Sequence, residues 1–261
     1  MNKDFKAGVI QFDIINGDID RNMAAAMTYL KELASQGADL AVLPELFSCG
    51  FDNDNIQDHA CRTNDILEQL SEFGRANAMA IVGTFPQFQA GQVFNTQYFI
   101  DRDGKIKGAY QKMHLFRPTL EHKIYTAGSR AVVLDTSFGP VGLMICYDLR
   151  FPELARRLFL DGARMLIISA QWPSPRKTHW QILARARAVE NQAYCICSNR
   201  TGIDHELTFP GLSAIIDPIG QVLAEAGSDP GVVLADIDVG QVDRARNLIP
   251  IMTDRRKDVY G

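Results

Sequence analysis

Short unbroken apolar runs alternate along this chain with longer stretches of mixed polarity, and the two textures predict different elements. The runs "FKAGVIQFD" (5–13), "ADLAVLPEL" (38–46), "MAIVGTFPQ" (79–87), "RMLIISAQ" (164–171), "AYCICSNRTG" (193–202) and "GVVLADIDV" (231–239) read as strands. Helices are expected from Asp20 through "NMAAAMTYLKELASQG", with Gly37 as its C-cap, and over 64–78, 152–162 and 178–192. Three further stretches read as hairpins. They are "VFNTQYFIDRDGKIKGAYQK", turning at Asp103-Gly104, "AVVLDTSFGPVGLMICYD", and "LSAIIDPIGQVLAEAG", turning near Pro218-Ile219-Gly220.

Strand–helix units mixed with hairpins do not suit a purely parallel, doubly wound sheet. They suit mixed sheets covered by helices on their outer faces. Two such sheets stacked face to face give the expected fold, an α/β four-layer α-β-β-α sandwich. No repeat, low-complexity segment or Pro/Gly/Ser-rich linker divides the chain, so residues 1–261 are read as one domain.

Composition narrows the classes of function. The net charge of −4 and the lack of a basic stripe with interleaved aromatics argue against nucleic acid. Arg185/Arg187 and Arg255/Arg256/Lys257 read as solvated charges. The apolar run near the N-terminus is too short for a signal-peptide core, and no run of eighteen apolar residues predicts a membrane span. The five cysteines, at 49, 61, 146, 195 and 197, are odd in number, scattered, and without zinc-site spacing. That pattern points to a reducing cytoplasm and to no metal site. Cys195 and Cys197 fall on one face of an apolar strand and read as packing.

Cys146 is different. In "GPVGLMICYDLRFPEL" (139–154) it stands where an apolar strand meets a polar turn, just before a helix opened by Pro152. Such a junction exposes a side chain at a sheet edge beside unpaired backbone N–H groups. The thiol there is either a small buried hydrophobe or a nucleophile. A nucleophilic thiol needs a base or a cation, being only a few per cent ionised at neutral pH. The five histidines, 59, 114, 122, 179 and 205, read as surface or capping residues. Glu45, closing an apolar strand, is either a cap or a base. Lys112, ending a hairpin strand, is either a surface charge or a partner for both. If the three strand ends converge, the glutamate can accept the thiol proton and the ammonium can stabilise carboxylate and thiolate.

Together, Glu45 in "LPELF", Lys112 in "YQKMHLF" and Cys146 in "GLMICYDLRFPEL" resemble the Glu-Lys-Cys triad of the nitrilase superfamily of carbon–nitrogen hydrolases. The resemblance runs from "AGVIQFD" to "GVVLADIDV". It implies the same four-layer sandwich, a homodimer or higher oligomer, and no metal or organic cofactor. It also implies that Glu121 in "RPTLEHKIYTAG" is a second active-site glutamate. The implied chemistry is hydrolysis of a small amide by water through a cysteine thioester, with Lys112 and the backbone N–H of Tyr147 holding the oxyanion.

Within that superfamily, "CYDLRFPEL", "QWPSPRKTHWQ" and "ARARAVENQAYCICSNRTG" look most like the omega-amidase branch, which acts on 2-oxoglutaramate or 2-oxosuccinamate. Such substrates carry a carboxylate, and Arg117, Arg150 and Arg176 are the candidate anchors. Trp172 and Phe116 are candidate pocket walls. The competing expectations on the same triad are an N-carbamoyl hydrolase, a nitrilase and a deaminated-glutathione amidase. A catalytically inactive binding or scaffold protein is the alternative of another class.

Overall fold

The computed structural model describes residues 4–204 and 206–260; His205 lies outside the described residues. In chain order the first half contains β1 (Phe5–Gln11), α1 (Ile19–Ser35), β2 (Leu40–Val42), α2 (Ile56–Cys61), α3 (Thr63–Asn77), β3 (Ala80–Gln89), β4 (Gln92–Ile100), β5 (Ile106–Gln111) and the single turn α4 (Glu121–Ile124). The second half contains β6 (Val133–Thr136), β7 (Gly139–Ile145), α5 (Pro152–Leu160), β8 (Met165–Ala170), α6 (Lys177–Asn191), β9 (Tyr194–Asn199), β10 (Thr201–Asp204), β11 (Leu207–Pro210), β12 (Ala214–Ile216), β13 (Val222–Glu225), β14 (Gly231–Ile237), α7 (Gly240–Leu248), α8 (Ile251–Asp254) and α9 (Lys257–Tyr260).

Two six-stranded sheets form, in the orders β14-β1-β2-β3-β4-β5 and β13-β12-β9-β8-β7-β6. Each has three parallel strands at its centre and antiparallel strands outside, so both are mixed. Alternation along the strands sorts side chains into layers. Ala7 and Val9, Leu40 and Val42, and Ala80 and Val82 pack in one cluster with Leu143, Ile145 and Ile167 of the second sheet. Their neighbours Ile10, Ala41, Leu43 and Ile81 face the other way, onto Leu30 and Leu33 of α1 and Leu67 and Leu70 of α3. Helices α5 and α6 cover the outer face of the second sheet through Leu158, Trp180 and Ala184. The expected four-layer α-β-β-α sandwich is therefore present.

Buried hydroxyls stitch the two sheets together. Ser169 of β8 donates to the Leu43 carbonyl at 2.7 Å, and Ser198 of β9 donates to that of Ile10 at 2.6 Å. Each satisfies a polar group in an otherwise apolar interface.

Element ends differ from the sequence reading in instructive ways. Asp18, not Asp20, caps α1, its Oδ1 accepting the Arg21 N–H at 3.1 Å. At the other end Ala38 N donates to Leu33 O and Gly37 N to Ala34 O, both at 3.0 Å, closing a Schellman turn that needs the φ of +76° found at Gly37. The strand ending "ADLAVLPEL" stops at Val42, leaving Glu45 in the turn beyond it. β3 and β4 form a hairpin through Ala90 and Gly91, both at positive φ, which the sequence reading did not resolve. The β10–β11 hairpin, α2 and the helices after Val239 also went unread.

Candidate active site

The strand ends converge. Glu45 follows β2, Lys112 follows β5, Cys146 follows β7 and Gln171 follows β8, and all four line one cavity of about 610 Å³. Cys146 turns the chain sharply. Its φ is +44°, an uncommon conformation for a side chain larger than glycine, and the next residues, Cys146–Arg150, form a short 3₁₀ turn. The opening N–H groups of such a turn, including that of Tyr147, have no acceptor within it.

The Lys112 ammonium is buried between two carboxylates. It donates to Glu45 Oε1 at 2.8 Å and to Glu121 Oε1 and Oε2 at 2.8 and 2.9 Å. Glu45 accepts two more bonds, from Asn95 Nδ2 to Oε1 at 2.8 Å and from the Gln171 N–H to Oε2 at 3.0 Å. All three groups that bond to the Glu45 carboxyl are donors, and each favours its ionised form. Glu121 is oriented by the Phe116 N–H at 2.6 Å. Against Lys112's strand lies the loop at Gly128, where a Cβ would stand 2.1 Å from the Gln111 carbonyl oxygen.

Burial and charge shift the titrations in opposite directions. Burial, reinforced by Glu121, raises the Glu45 carboxyl above its ordinary 4.5 despite the lowering effect of Lys112. Burial lowers the Lys112 ammonium, but Glu121 and Glu45 outweigh it and hold the group well above 10.5. Burial and the Glu45 charge push the Cys146 thiol well above 9.0, so the resting sulfur is a thiol beside the Glu45 carboxyl.

Of the other expected residues, Tyr147, Trp172, Arg150, Arg176 and Phe116 line the cavity. Arg117 does not; it is exposed at the start of a 3₁₀ turn. The Arg150 guanidinium lies 4.7 Å over the Trp172 ring and that of Arg176 lies 5.2 Å over Phe116. Neither has a carboxylate partner among the described residues. His114 is not beside the thiol. It stacks on Phe151 and bonds Asp148 Oδ1 at 2.8 Å.

Several residues of the site escaped the sequence reading. Asn95, Thr96 and Gln97 are fully buried in β4, and three consecutive polar residues inside a strand were a legible signal. Asp148, fully buried, accepts bonds from Tyr110, Ile145 and His114. Gln171, an uncharged residue after an apolar run, gives no such signal; Arg200 does, as a charge closing the run "AYCICSN".

The family model for carbon-nitrogen hydrolase matches residues 6–247. This chain belongs to the carbon–nitrogen hydrolase family. The hydrolase is 39% identical over 253 residues to the 2-oxoglutaramate amidase of Bacillus subtilis (strain 168), covering 96% of this chain and 97% of that protein. It is 31% identical over 269 residues to the omega-amidase of Homo sapiens, covering 98% and 97% respectively. Among solved structures it superposes on a carbon-nitrogen hydrolase from Helicobacter pylori G27 with a TM-score of 0.94 at 25% identity, over 99% of this chain and 97% of that one. It is an enzyme of the class that cleaves carbon–nitrogen bonds other than peptide bonds.

Proposed function

We propose that this hydrolase is an omega-amidase that releases ammonia from 2-oxoglutaramate or 2-oxosuccinamate through a thioester on Cys146. The observation that carries the proposal is the buried Glu45–Lys112–Glu121 cluster beside a thiol at the end of β7, in a cavity that also presents two arginines with no carboxylate partner among the described residues. Glu45 takes the thiol proton as sulfur attacks the amide carbon. The oxyanion forms against the Lys112 ammonium and the Tyr147 N–H, each donor being worth about 10²–10³ in rate. Glu45 then delivers the proton to the departing amine. Ammonia leaves, and Glu45 activates the water that cleaves the thioester. Glu121 holds Lys112 in place from the far side.

The substrate assignment is supported by the names of the relatives and by Arg150 and Arg176. Their guanidiniums face the cavity on aromatic rings and suit the planar carboxylate of a 2-oxo acid. Arg117 drops out as an anchor. The test is ammonia release from 2-oxoglutaramate, glutamine and a carbamoyl amine, side by side, with wild-type enzyme and Cys146→Ala. Turnover of 2-oxoglutaramate well above the other two, abolished in the variant, is expected. Equal turnover of all three would return the substrate to an unspecified small amide.

The whole chain is read as one catalytic unit, supported by the buried hydroxyl bonds between its sheets. A homodimer is favoured by Ile182 and Val189, exposed along α6 beside the turn at Ile219 and Gly220. Five free cysteines favour the cytoplasm. No helix among the described residues is long and apolar enough to cross a membrane.

A further inference from the structure

We propose that Arg200 is a positioning residue that sets the catalytic geometry of Glu45 through Gln171. The inference rests on the reading of Glu45 as the base. Arg200 is fully buried and lies outside the cavity lining, so it acts on the reaction only through its neighbours. Its Nη1 donates to Gln171 Oε1 at 2.9 Å. Gln171 Nε2 donates to the Glu45 carbonyl at 2.7 Å, and the Gln171 N–H to Glu45 Oε2 at 3.0 Å. One residue thus grips both the backbone and the side chain of Glu45.

The chemistry of the carboxamide makes the chain of contacts directional. An amide can present its oxygen or its NH₂ to either side, and only one orientation gives Glu45 a donor. Arginine has donors and no acceptor, so it faces the oxygen and forces the NH₂ toward Glu45. The rest of the guanidinium is anchored just beyond β1 and at the end of β10: Nη2 donates to the Ile14 carbonyl at 2.6 Å, to Asp13 Oδ1 at 3.2 Å and to the Ile203 carbonyl at 3.3 Å, and Nη1 also donates to Asp204 Oδ2 at 3.3 Å. The ends of β1 and β8 and the residue after β9 are thereby fixed relative to the turn that carries the base. A buried guanidinium is an expensive way to join three loops if shape alone were needed.

The test compares Arg200→Lys, Gln171→Glu and Asp13→Asn with wild type, reading thermal midpoint, kcat, KM and the acid limb of kcat/KM. Arg200→Lys keeps the charge and loses the fork. Gln171→Glu keeps an acceptor for Arg200 but turns an oxygen, rather than a donor, toward the Glu45 carbonyl. Both should lower kcat about ten- to hundredfold; KM should stay within about threefold in Arg200→Lys, where the base is displaced while the cavity lining is unchanged, and should rise in Gln171→Glu, which adds a carboxylate to that lining. Both should also move the acid limb upward as the grip of the Gln171 N–H on Glu45 loosens. Asp13→Asn trims the outer anchor and should lower the midpoint while leaving kcat and the limb unchanged. If Arg200→Lys does not fold, Gln171→Glu decides. Lowered midpoints with wild-type kcat and an unmoved limb would overturn the positioning role and leave Arg200 a structural pin. Glu45→Gln in the same assay separates the two ideas: if it retains turnover, the base assignment fails, whatever Arg200 does.

Discussion

Tyr110 donates its hydroxyl to Asp148 Oδ2 at 2.7 Å, and that contact joins the strand before Lys112 to the turn after Cys146. Asp148 is completely buried, and it also accepts the Ile145 N–H at 3.0 Å and the His114 N–H at 3.0 Å. Burial and the Asp148 charge together raise the Tyr110 phenol well above 10.0, so it stays a donor. Asp148→Ala leaves several buried donors without an acceptor. It should cost about 3–5 kcal/mol in urea unfolding and lower kcat as the two halves of the site lose register. Unchanged unfolding with unchanged kcat would show the link to be dispensable.

Cys146→Ala should abolish turnover with little change in unfolding, since a small side chain at the rim of a cavity carries little packing. In wild type, iodoacetamide should label Cys146 ahead of the exposed Cys61, while Cys49, Cys195 and Cys197 are buried and should react last. In Glu45→Gln the advantage over Cys61 should vanish, because burial holds the thiol protonated and the variant removes the group placed to take its proton. Mass mapping of the alkylated sites reads the order directly.

The pH profile follows from the signs. Glu45 acts ionised, and burial lifts it above 4.5, so kcat/KM should fall as pH drops through a value above the ordinary glutamate range. The group's folded value is raised, so its contribution to stability is fully present below 4.5 and is lost as pH rises through the folded value. Catalytic competence and stability therefore change in opposite directions across that window. Lys112 is held well above 10.5, so no alkaline limb below that point belongs to it. An acid limb at or below 4.5 contradicts the assignment of the base.

Lys112→Met removes the cation shared by Glu45 and Glu121. Two buried carboxylates then face one another, and breaking such a cluster costs about 3–5 kcal/mol at neutral pH. Lowering the pH should restore part of the loss, because one carboxyl can take up a proton and bond the other. Urea midpoints across pH test this; a deficit independent of pH would mean that the loss is packing rather than charge.

Arg→Lys at the true anchor should weaken 2-oxoglutaramate much more than an uncharged amide of similar length. A charge-assisted contact of roughly 1.5–3 kcal/mol corresponds to about a ten- to hundredfold loss in kcat/KM. Arg150 and Arg176 are the positions to compare, with Arg117→Lys as the silent control. Equal losses on both amides at both positions remove the carboxylate anchor.

The layers of the fold and three of its site residues were legible because each carried a local contradiction. Glu45 is a charge closing an apolar run, Cys146 is a thiol at a strand–helix junction, and Lys112, at the end of a hairpin strand, supplies the cation that both need. Glu121 was reached only by resemblance, since a carboxylate in a polar loop contradicts nothing until the fold buries it. Asp18 was passed over for Asp20 because capping depends on where the backbone leaves helical φ/ψ, which acidic residues two apart do not distinguish. The contacts that tie Arg200 to Gln171 and to Asp13 span 29 and 187 residues, and no local pattern encodes such separations.

Lys112 neutralises only one of the two carboxylates it holds, so the reacting end of the cavity is net negative, while Arg150 and Arg176 bring positive charge to a lining that also holds Asp204 and Glu206. A molecule with one anionic end and one neutral amide therefore meets less repulsion with its amide toward sulfur. Hydrolysis reverses the fit: the neutral end becomes a second anion, created against Glu45 and Glu121. In the proposed reaction the site thus favours its substrate over its own product, and turnover is driven partly by electrostatic ejection.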